Sequence, residues 1–422
     1  MDDPRSAAPT ETPVVLSIAG SDSGGGAGIQ ADLKTIEATG GFGTTAITAV
    51  TAQNTTAVES SHGLPVGEIA AQIDAVRDDF DVRAVKTGML GTEAVVERVA
   101  DYAAEFDAPV VVDPVMVAAT GDRLLSEAAE SAYETLIAEA TLVTPNADEA
   151  AVLTDIEPTD EESARAAAGA ILAMGADAAL IKGGHIPGST VMDVFHTDAG
   201  SETMRHPRID TDATHGSGCT LSAAIATRLA RGEALSDAVE RGVAFMETAV
   251  RYHHAAGEGP GAVHHLVDIR NEASRNAAID TAYEAADRLA ELDEPTARTG
   301  AVVAATEYAE SPVDVAGLAD ASPSGRARFG RPPGPARALL DARDARPDLR
   351  VGIECPFATV DAFADAGCAV LGDGDGATGS VPVVAPLSDP DLSADTQSAL
   401  LCSTTIDAAL DTLDAVSRDD DG

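Results

Sequence analysis

The chain has 422 residues, which is more than one hydrophobic core usually serves, so its length predicts one large domain and one smaller domain. The formal net charge is −43, and a surface this acidic repels nucleic acid and anionic membranes. We therefore expect neither kind of partner. No apolar run is long enough to span a membrane, and the four cysteines have no paired metal-ligand spacing, so we expect a cytoplasmic protein without a zinc site or a disulfide framework.

The acidity extends along the whole chain, and arginine carries nearly all of the positive charge, because only three lysines occur: Lys34, Lys86 and Lys182. High ionic strength screens the mutual repulsion of so many carboxylates. The composition is similar to that of proteins from salt-adapted archaea. It predicts a halophilic, haloarchaeal protein, and an ordinary acidic protein is the alternative.

Apolar, β-branched runs alternate with helical patterns from residue 14 onwards. Residues 14–18 form the first such run, a glycine-rich loop follows it, and residues 29–39 have a helical pattern. This order predicts a mostly parallel sheet covered by helices. Further strands are predicted at residues 45–51, 84–86, 109–112, 141–143 and 178–181. Further helices are predicted near residues 66–78, 93–105, 127–139, 149–153 and 161–174.

The pattern changes after this alternating series. Residues 192–196 and 203–206 are typical of a β-ribbon, and helices are predicted at residues 219–231 and 234–254. A domain boundary is expected near residues 268–275. Beyond it, the sequence predicts helices at residues 275–292 and 335–345 and strands at residues 301–305 and 351–353. Residues 1–13 are predicted to be a disordered tail, and residues 417–422 a solvated acidic tail.

A second glycine-rich turn, Thr214-His215-Gly216-Ser217-Gly218-Cys219-Thr220, runs directly into an apolar helix of small residues. The first backbone N–H groups of a helix lack intrahelical partners and lie at its positive end, so this turn suits a phosphate. Cys219 falls in the first turn, where the helix dipole favours the thiolate and lowers the thiol pKa. A thiolate there would accept a proton from an attacking hydroxyl. The alternative is a small buried cysteine beside a capping turn.

Eight short motifs follow one another along the first part of the chain. They are Ala-Gly-Ser-Asp at residues 19–22, Gly-Ile-Gln-Ala-Asp-Leu-Lys-Thr at 28–35, Thr-Ala-Gln-Asn-Thr at 51–55, Lys-Thr-Gly-Met-Leu at 86–90, Val-Asp-Pro-Val-Met at 112–116, Thr-Pro-Asn-Ala-Asp-Glu-Ala at 144–150, Lys-Gly-Gly-His at 182–185 and His-Gly-Ser-Gly-Cys-Thr-Leu-Ser-Ala-Ala at 215–224. This series strongly resembles the hydroxymethylpyrimidine and hydroxymethylpyrimidine-phosphate kinases of thiamine biosynthesis, within the ribokinase-like superfamily. The resemblance covers residues 14–266.

The resemblance implies a ribokinase-like αβα sandwich over residues 14–268, with ATP and Mg2+ as cofactors. It implies phosphorylation of the 5-hydroxymethyl group of 4-amino-5-hydroxymethyl-2-methylpyrimidine, and then of the monophosphate to the diphosphate. Related kinases are commonly dimers, so a homodimer is expected. Pyridoxal or pyridoxine kinase is the alternative activity, because pyridoxine also carries a hydroxymethyl group on a six-membered heteroaromatic ring.

The resemblance places a substrate-binding group at four positions. Gln53 matches the family's pyrimidine-contacting glutamine, whose amide offers a donor and an acceptor to the N–C–NH2 edge of the ring. A polar residue at a strand end is the alternative for Gln53. Gly20 and Val115 match contacts around the ring, and Asp32 is expected to face the substrate pocket from the first loop.

The resemblance also assigns the groups at the reacting end. The backbone N–H groups of Gly216, Ser217 and Gly218 would hold the phosphoryl oxygens that are being transferred. Cys219 stands where most ribokinase-like sugar kinases have an aspartate base, and cysteine is the residue expected there in this kinase family.

Five residues are expected near ATP and Mg2+. Lys182 would neutralise phosphate charge, and Lys86 is interpreted in the same way. Asn146 and Glu149 match the superfamily motif that positions Mg2+ through water, and Asp113 is a further candidate for the metal or phosphate neighbourhood. A surface lysine is the alternative for Lys182, and a helix cap is the alternative for Glu149.

Residues 275–416 resemble a divergent copy of the archaeal thiamine-phosphate synthase domain, on the stretches 308–317, 329–330, 336–340 and 346–350. Active copies have an arginine soon after the Asp-Val-Ala-Gly stretch and a histidine between the Phe-Gly and Ala-Arg pairs. This chain has Leu-Ala-Asp-Ala at residues 318–321 and Arg-Pro-Pro-Gly-Pro at residues 331–335 instead. Without those groups departing pyrophosphate lacks stabilisation, so we expect a domain that is inactive as a synthase.

Other organisations of the whole protein remain open at this point. They are a bifunctional kinase and synthase, a kinase with a thiamine-phosphate-sensing regulatory domain, and a mainly regulatory binding protein. The missing arginine and histidine disfavour the first, and the intact kinase motifs disfavour the last.

Overall fold

The computed structural model describes residues 10–116, 127–291, 300–319, 325–355, 360–365, 367–371, 382–387 and 398–419. The chain divides into two compact units, Met1–Val267 and Asp268–Gly422. Across the described ranges, no helix combines the length and the apolar character needed to cross a bilayer.

The strands of the first unit are short, and their central members are buried and rich in β-branched residues, as expected when helices cover both faces of a sheet. They are β1 (Val14–Ala19), β2 (Phe42–Ile47), β3 (Ala49–Gln53), β4 (Val58–Gly63), β5 (Val82–Thr87), β6 (Val110–Val112), β7 (Leu142–Val143), β8 (Ala178–Ile181), β9 (Thr190–Thr197) and β10 (Gly200–Pro207).

The main sheet of this unit has the strand order β10-β9-β8-β7-β6-β5-β1-β2. The pairs from β2 through β1, β5, β6 and β7 to β8 are parallel, and β9 and β10 add an antiparallel ribbon at one edge. The mostly parallel sheet and the ribbon predicted from the sequence are therefore confirmed. The carboxyl ends of the parallel strands share one edge, where α/β folds place their ligand sites.

The helices of this unit begin and end within a few residues of the predicted bounds. They are α1 (Gly28–Ala38), α2 (Val66–Asp79), α3 (Glu93–Ala103), α4 (Glu127–Ile137), α5 (Ala147–Thr154), α6 (Glu161–Ala173), α7 (Ser217–Ala230) and α8 (Leu235–Arg251). A large core forms between the sheet and these helices, and Leu16, Val85, Tyr133 and Ile171 are among its fully or almost fully buried members.

The single strand predicted at residues 45–51 is wrong. β2 ends at Ile47, and β3 pairs with β4 in a separate two-stranded sheet. The strands β2 and β3 are separated by Thr48. Its N–H donates to the Ala19 carbonyl at 3.0 Å, and its hydroxyl donates to the Met89 carbonyl at 2.6 Å. β4 is polar and mostly exposed, so no apolar alternation predicts it.

Helix α7 runs through the middle of the first unit. Its side chains from Thr220 to Thr227 are all buried, and most of them are small. Small residues let neighbouring elements approach closely: a Cβ on Gly242 of α8 would lie 2.7 Å from the Ile225 side chain. Helix α7 contacts α1, α8, β1, β5 and β6, so its first turn is held firmly at the carboxyl edge of the sheet.

The second unit is also α/β, as predicted. Its elements are α9 (Val267–Ala273), α10 (Arg275–Ala290), β11 (Val302–Ala305), β12 (Val315–Leu318), β13 (Arg328–Phe329), α11 (Pro333–Ala345), β14 (Val351–Cys355), α12 (Val360–Asp365), β15 (Ala369–Val370), β16 (Val383–Leu387), β17 (Ser398–Ser403) and α13 (Ile406–Asp419). The strands form one sheet in the order β13-β12-β11-β14-β17-β16-β15, and among these described strands the β15–β16 pair is parallel and every other pair is antiparallel.

Alternate residues of these strands point to opposite faces of the sheet. Val302 belongs to the core under α10 and α13, and Val303 belongs to the core under α11. Helix α13 continues to Asp419, inside the acidic tail predicted at residues 417–422. Ile406 and Leu410 have the spacing of one helix face, and that amphipathic pattern carries the helix past the predicted boundary.

Candidate active site

A cavity of about 540 Å³ opens at the carboxyl edge of the main sheet. Its walls come from the loops after β1, β6, β7 and β8, from the end of β3 and from the first turn of α7. Parallel strands end together at this edge, so residues far apart in sequence meet here. The predicted site residues that line the cavity are Gly20, Gln53, Asp113, Val115, Asn146, Glu149, Lys182, Gly216, Ser217, Gly218 and Cys219.

The first glycine-rich loop, residues 20–28, is organised by Asp22. Its carboxylate accepts N–H bonds from Gly24 at 2.7 Å, from Gly26 at 2.9 Å and from Ala27 at 2.7 Å. Burial alone would raise the pKa of Asp22, but hydrogen bonds from His215 and from the backbone outweigh burial and lower it. The loop is therefore wrapped around an ionised, buried carboxylate.

The second glycine-rich turn requires glycine at Gly216. This residue precedes α7 with φ of 81°, a conformation that side chains disfavour. A Cβ there would also lie 1.8 Å from the carbonyl oxygen of Gly26. The two glycine-rich segments thus pack backbone against backbone.

The first turn of α7 presents backbone donors to the cavity. The Ser217 N–H donates to the Thr214 carbonyl at 3.1 Å, so it is already occupied, contrary to the expectation that Ser217 would hold a phosphoryl oxygen through its N–H group. Within the described residues, the N–H groups of Gly218 and Cys219 have no backbone acceptor. These two N–H groups are the donors that this helix end offers to an anion.

The thiol of Cys219 differs from its predicted state. Burial raises the pKa of Cys219 to about 11, the positive charge of Lys86 offsets part of that rise, and the carboxylates of Asp32 and Asp113 add to it. The predicted lowering of the pKa by the helix dipole is therefore wrong, because loss of solvation outweighs the dipole. At neutral pH the thiol is protonated.

Lys182 and Asp113 form a buried ion pair in the cavity wall. The Lys182 ammonium lies 2.9 Å from Oδ1 of Asp113 and 3.8 Å from Oε2 of Glu149. Burial alone would lower the pKa of Lys182, but these two carboxylates raise it, so the ammonium stays charged. The alternative of a surface lysine at Lys182 is therefore excluded.

Asn146 and Glu149 form a capping box at the start of α5. The Asn146 side chain accepts the Glu149 N–H, and the Glu149 carboxylate accepts the Asn146 N–H, both at 2.8 Å. The capping role considered for Glu149 is therefore present. Both residues still line the cavity, so the cap also fixes their position in the wall.

Asp32 and Lys86 do not line the cavity, contrary to the sequence-based expectation. Both side chains are fully buried, and the Lys86 ammonium lies 2.9 Å from each carboxylate oxygen of Asp32. The Ser17 hydroxyl donates to the same carboxylate at 2.6 Å. Asp32 and Lys86 therefore act inside the protein, below the floor of the site, and neither reaches a ligand.

Comparison with known proteins gives the family of this chain. Residues 22–264 match the family model described as phosphomethylpyrimidine kinase, which is more than half of the chain. The chain belongs to the phosphomethylpyrimidine kinase family. A hydroxymethylpyrimidine/phosphomethylpyrimidine kinase from Streptomyces coelicolor is 48% identical over 258 residues, which cover 61% of this chain and 96% of that relative.

Solved kinases share the fold of the first unit. A phosphomethylpyrimidine kinase from Clostridium difficile is 36% identical with a TM-score of 0.51, and the match covers 57% of this chain and 100% of that one. A pyridoxal kinase from Staphylococcus aureus, solved with AMP-PCP and pyridoxal, is 30% identical with a TM-score of 0.58, covering 62% of this chain and 96% of that one. This kinase therefore has the ribokinase-like fold predicted from its motifs.

Asp22 and Met89 are among the residues of the kinase site to which the sequence assigned no role. Asp22 belongs to the first motif, and a carboxylate just before a run of glycines is a signal for a loop built around it. Met89 lines the cavity, and its Cε atom lies where a side chain at Gly20 would project, 2.2 Å from the position of such a Cβ. No spacing rule predicts this second contact, because it joins two loops of different strands.

Proposed function

We propose that this kinase transfers the terminal phosphoryl group of ATP to the 5-hydroxymethyl group of 4-amino-5-hydroxymethyl-2-methylpyrimidine, and a second phosphoryl group to the resulting monophosphate, in thiamine biosynthesis. The observation that carries this proposal is the cavity in which a glutamine amide, an open helix end and a buried lysine–aspartate pair meet. The family match and the name of the Streptomyces coelicolor relative support the substrate class.

The pyrimidine ring binds at the end of the cavity formed by Gln53, Gly20 and Val115. The Gln53 amide donates to a ring nitrogen and accepts from the exocyclic amine. Met89 and Val115 supply apolar surface against the ring faces, and the absence of a side chain at Gly20 leaves room for the Met89 side chain. In this proposal the 5-hydroxymethyl group points toward the first turn of α7.

The transferring phosphoryl group binds at the start of α7. The N–H groups of Gly218 and Cys219 donate to its oxygens, and the Lys182 ammonium neutralises negative charge beside them. Phosphoryl transfer passes through a loose transition state in which the protein mainly positions and stabilises charge. Rigid backbone donors and a buried cation suit that task.

The residues of the wall also fit Mg2+, which prefers oxygen ligands and retains several waters. Oδ2 of Asp113 is buried and, in the part of the chain that the structure describes, has no hydrogen-bond partner. Asp113 would hold the ion directly or through water, and Asn146 and Glu149 would hold it through water. The ion supplies charge neutralisation on the phosphates of ATP.

Cys219 is a neutral thiol when the substrates bind, because its pKa is raised to about 11, and the small fraction of molecules in which it is ionised takes the proton of the attacking hydroxyl. A carboxylate at this position would repel the second substrate, which is already a phosphomonoester, whereas a neutral thiol does not. Full activity of Cys219→Asp on the monophosphate would contradict this account of the cysteine.

Pyridoxal or pyridoxine phosphorylation is a second candidate, favoured by the 30% identity to a pyridoxal kinase with a TM-score of 0.58. Side-by-side assays of pyridoxine, pyridoxal and hydroxymethylpyrimidine at equal concentrations separate the two functions. We expect kcat/KM to be highest for the aminopyrimidine, because Gln53 offers its edge both a donor and an acceptor.

The main test is a high-salt assay of the full chain with Mg-ATP and hydroxymethylpyrimidine, with the monophosphate and the diphosphate followed by mass. Formation of both products in sequence is expected. A chain that phosphorylates pyridoxine but not hydroxymethylpyrimidine would reverse the order of the two candidates, and no phosphorylation of any of these compounds would contradict the proposal.

The second unit is proposed to lack thiamine-phosphate synthase activity. The sequence has no histidine after His265, and Leu-Ala-Asp-Ala at residues 318–321 stands where active copies have the arginine, so that the next arginine in the sequence is Arg326. Adding a thiazole phosphate to the same reaction tests this directly. Diphosphate that accumulates unchanged is the expected result, and appearance of thiamine phosphate would make the protein bifunctional.

The setting of the protein is also part of the proposal. We propose a cytoplasmic, salt-adapted homodimer that binds neither nucleic acid nor membrane, on the basis of its net charge of −43 and its small-molecule site. Light scattering at several salt concentrations measures the oligomeric state.

A further inference from the structure

His215 lies in the cavity wall, and the proposed mechanism gives it no task. Its Nε2 atom is 3.1 Å from Oδ2 of Asp22 and 3.5 Å from Nε2 of Gln53. The side chains of His215 and Asp22 are 12% and 2% exposed. These three side chains join the first glycine-rich loop, the end of β3 and the turn before α7.

The imidazole of His215 is held in one orientation. A Cβ on Gly26 would lie 2.5 Å from its Cδ2 atom, so the ring lies directly on the glycine backbone. The His215 carbonyl accepts the Val263 N–H at 3.3 Å, and Ala262 lies beside the same loop. The position of Nε2 is therefore set by the surrounding backbone.

The hydrogen on Nε2 follows from its partner. Asp22 already accepts three backbone N–H groups, and an ionised carboxylate can only accept. Nε2 of His215 must therefore carry a hydrogen and donate it to Asp22. This holds for the neutral ring and for the protonated ring alike.

A nitrogen that donates to Asp22 cannot accept from the Gln53 amide. The oxygen and nitrogen of an amide have nearly the same shape, and the hydrogen-bond network decides which lies where. The Thr51 hydroxyl lies 3.5 Å from the other end of the Gln53 amide and donates its hydrogen to the Ser21 carbonyl at 2.8 Å. The network is consistent when the amide oxygen lies beside His215 and the amide nitrogen donates to the Thr51 oxygen.

We propose that His215 is a positioning residue that fixes the amide orientation of Gln53, and that this orientation sets on which side of the ring edge the acceptor nitrogen lies and on which side the donor amine lies. One N–H and one oxygen lone pair of Gln53 then remain for the ligand. A 4-aminopyrimidine satisfies both, whereas a ring without the amine leaves the amide oxygen without a donor. The inference rests on the proposed function, in which Gln53 contacts the pyrimidine.

The test compares 4-amino-5-hydroxymethyl-2-methylpyrimidine with its 4-desamino analogue on the full chain. Calorimetry gives Kd for both compounds, and kinetics give kcat and KM. His215→Phe removes the donor and keeps a planar ring. We expect it to weaken binding of the aminopyrimidine about tenfold, because the Gln53 amide is then free to turn its nitrogen toward the amine and that hydrogen bond is lost, while binding of the desamino compound changes less than about twofold. His215→Gln returns an N–H donor, and we expect it to restore most of the preference.

A double-mutant cycle separates positioning from general damage. Gln53→Leu should abolish the preference for the amine, and adding His215→Phe to it should cause no further loss. The proposal would be overturned if His215→Phe weakened binding of both compounds equally, or if it left the preference for the aminopyrimidine unchanged. His215 would then have a structural role only. A parent chain that binds and phosphorylates neither compound would contradict the proposed function instead.

Discussion

Two buried lysine–aspartate pairs near one site perform different tasks. Lys182 and Asp113 line the cavity, whereas Lys86 and Asp32 are fully enclosed. An enclosed pair persists because each charge satisfies the other, and removing one partner leaves an isolated charge in the interior. Burial alone would lower the pKa of Lys86, but the neighbouring carboxylate of Asp32 raises it, so this lysine is charged in the folded state.

Lys86→Met should lower the free energy of unfolding by about 3–5 kcal/mol, because Asp32 loses its only cationic partner within hydrogen-bond distance in the described structure. Denaturant unfolding measures the loss. The matched control is Lys34→Met, since Lys34 is exposed and, among the residues that the structure describes, its ammonium donates to the Gly25 carbonyl alone. The double variant with Asp32→Asn should recover part of the stability. Equal losses of unfolding free energy in Lys86→Met and Lys34→Met would contradict the conclusion that the Lys86–Asp32 ion pair stabilises the interior.

The pH dependence of phosphorylation should report the thiol of Cys219. Its pKa of about 11 lies far above neutrality, so the thiolate fraction rises about tenfold for each pH unit between pH 7 and pH 9. We expect kcat to rise with pH over this range in step with that fraction. Cys219→Ser should leave a slower enzyme with a flat profile over the same range, because a serine hydroxyl does not ionise there. A flat profile of the unaltered chain would exclude the thiolate as the base.

At the scale of elements, the site depends on the placement of one helix end. Helix α7 is buried from Thr220 to Thr227, and its first turn packs through Gly216 against the loop that contains Gly26. The apolar burial of the helix fixes where its open N–H groups point. Stability of the fold and geometry of the anion site are therefore coupled through the same segment.

Gly216→Ala should reduce kcat at least about a hundredfold, because a Cβ would collide with the Gly26 backbone at 1.8 Å and displace the donors at the start of α7. Gly232→Ala is the matched control. Gly232 has the same φ of 81°, but a Cβ there meets no atom within 4 Å in the described structure. It should cost only about 1–2 kcal/mol of stability and leave kcat unchanged. Steady-state kinetics on both variants test this. A loss of kcat in Gly216→Ala alone indicates the collision with Gly26, whereas similar losses in both variants would indicate a general effect of backbone strain.

At the scale of the whole molecule, the chain consists of two units that each have their own sheet and cores. The Streptomyces coelicolor relative is matched over 96% of its length by 61% of this chain, so a protein of about that extent exists without the second unit. The kinase fold therefore contains the elements that line the cavity.

A chain ending at Val267 should retain kcat within about twofold, since every residue that lines the cavity precedes the division between the units. Activity and circular dichroism of the shortened and full chains provide the comparison. An inactive or insoluble product would show that residues after Val267 are needed to fold the kinase unit.

Salt should stabilise the protein strongly. With a net charge of −43, mutual repulsion opposes the folded state, and raising KCl from about 0.2 M to about 2 M shortens the screening length from near 7 Å to near 2 Å. We expect Tm to rise across this range, measured by calorimetry. Sucrose at matched osmolality is the control, because it screens no charge, and an equal rise in sucrose would contradict an electrostatic cause.

The order of most strands and helices in the first unit could be predicted from the sequence, and so could eleven of the residues that line the cavity, the latter through the resemblance to a kinase family. Alternating β-branched and helical patterns, two glycine-rich turns and residues that follow strand ends are local signals, and parallel strands bring their ends together as a rule. Asp113 and Lys182 follow β6 and β8 of the main sheet and reach the cavity for that reason, whereas Gln53 ends β3 in the separate two-stranded sheet and was predicted through the family resemblance.

The burial, the pKa and the hydrogen-bond partners of several side chains depend on residues that are distant in sequence, so only the tertiary structure determined them. It buried Asp32 against Lys86 below the floor of the site, raised the pKa of Cys219 by removing solvent, and brought His215 to Asp22. Burial, solvation and hydrogen-bond partners are properties of the space around a side chain. A local pattern specifies where a residue lies along its element, and only the packed chain specifies what surrounds it.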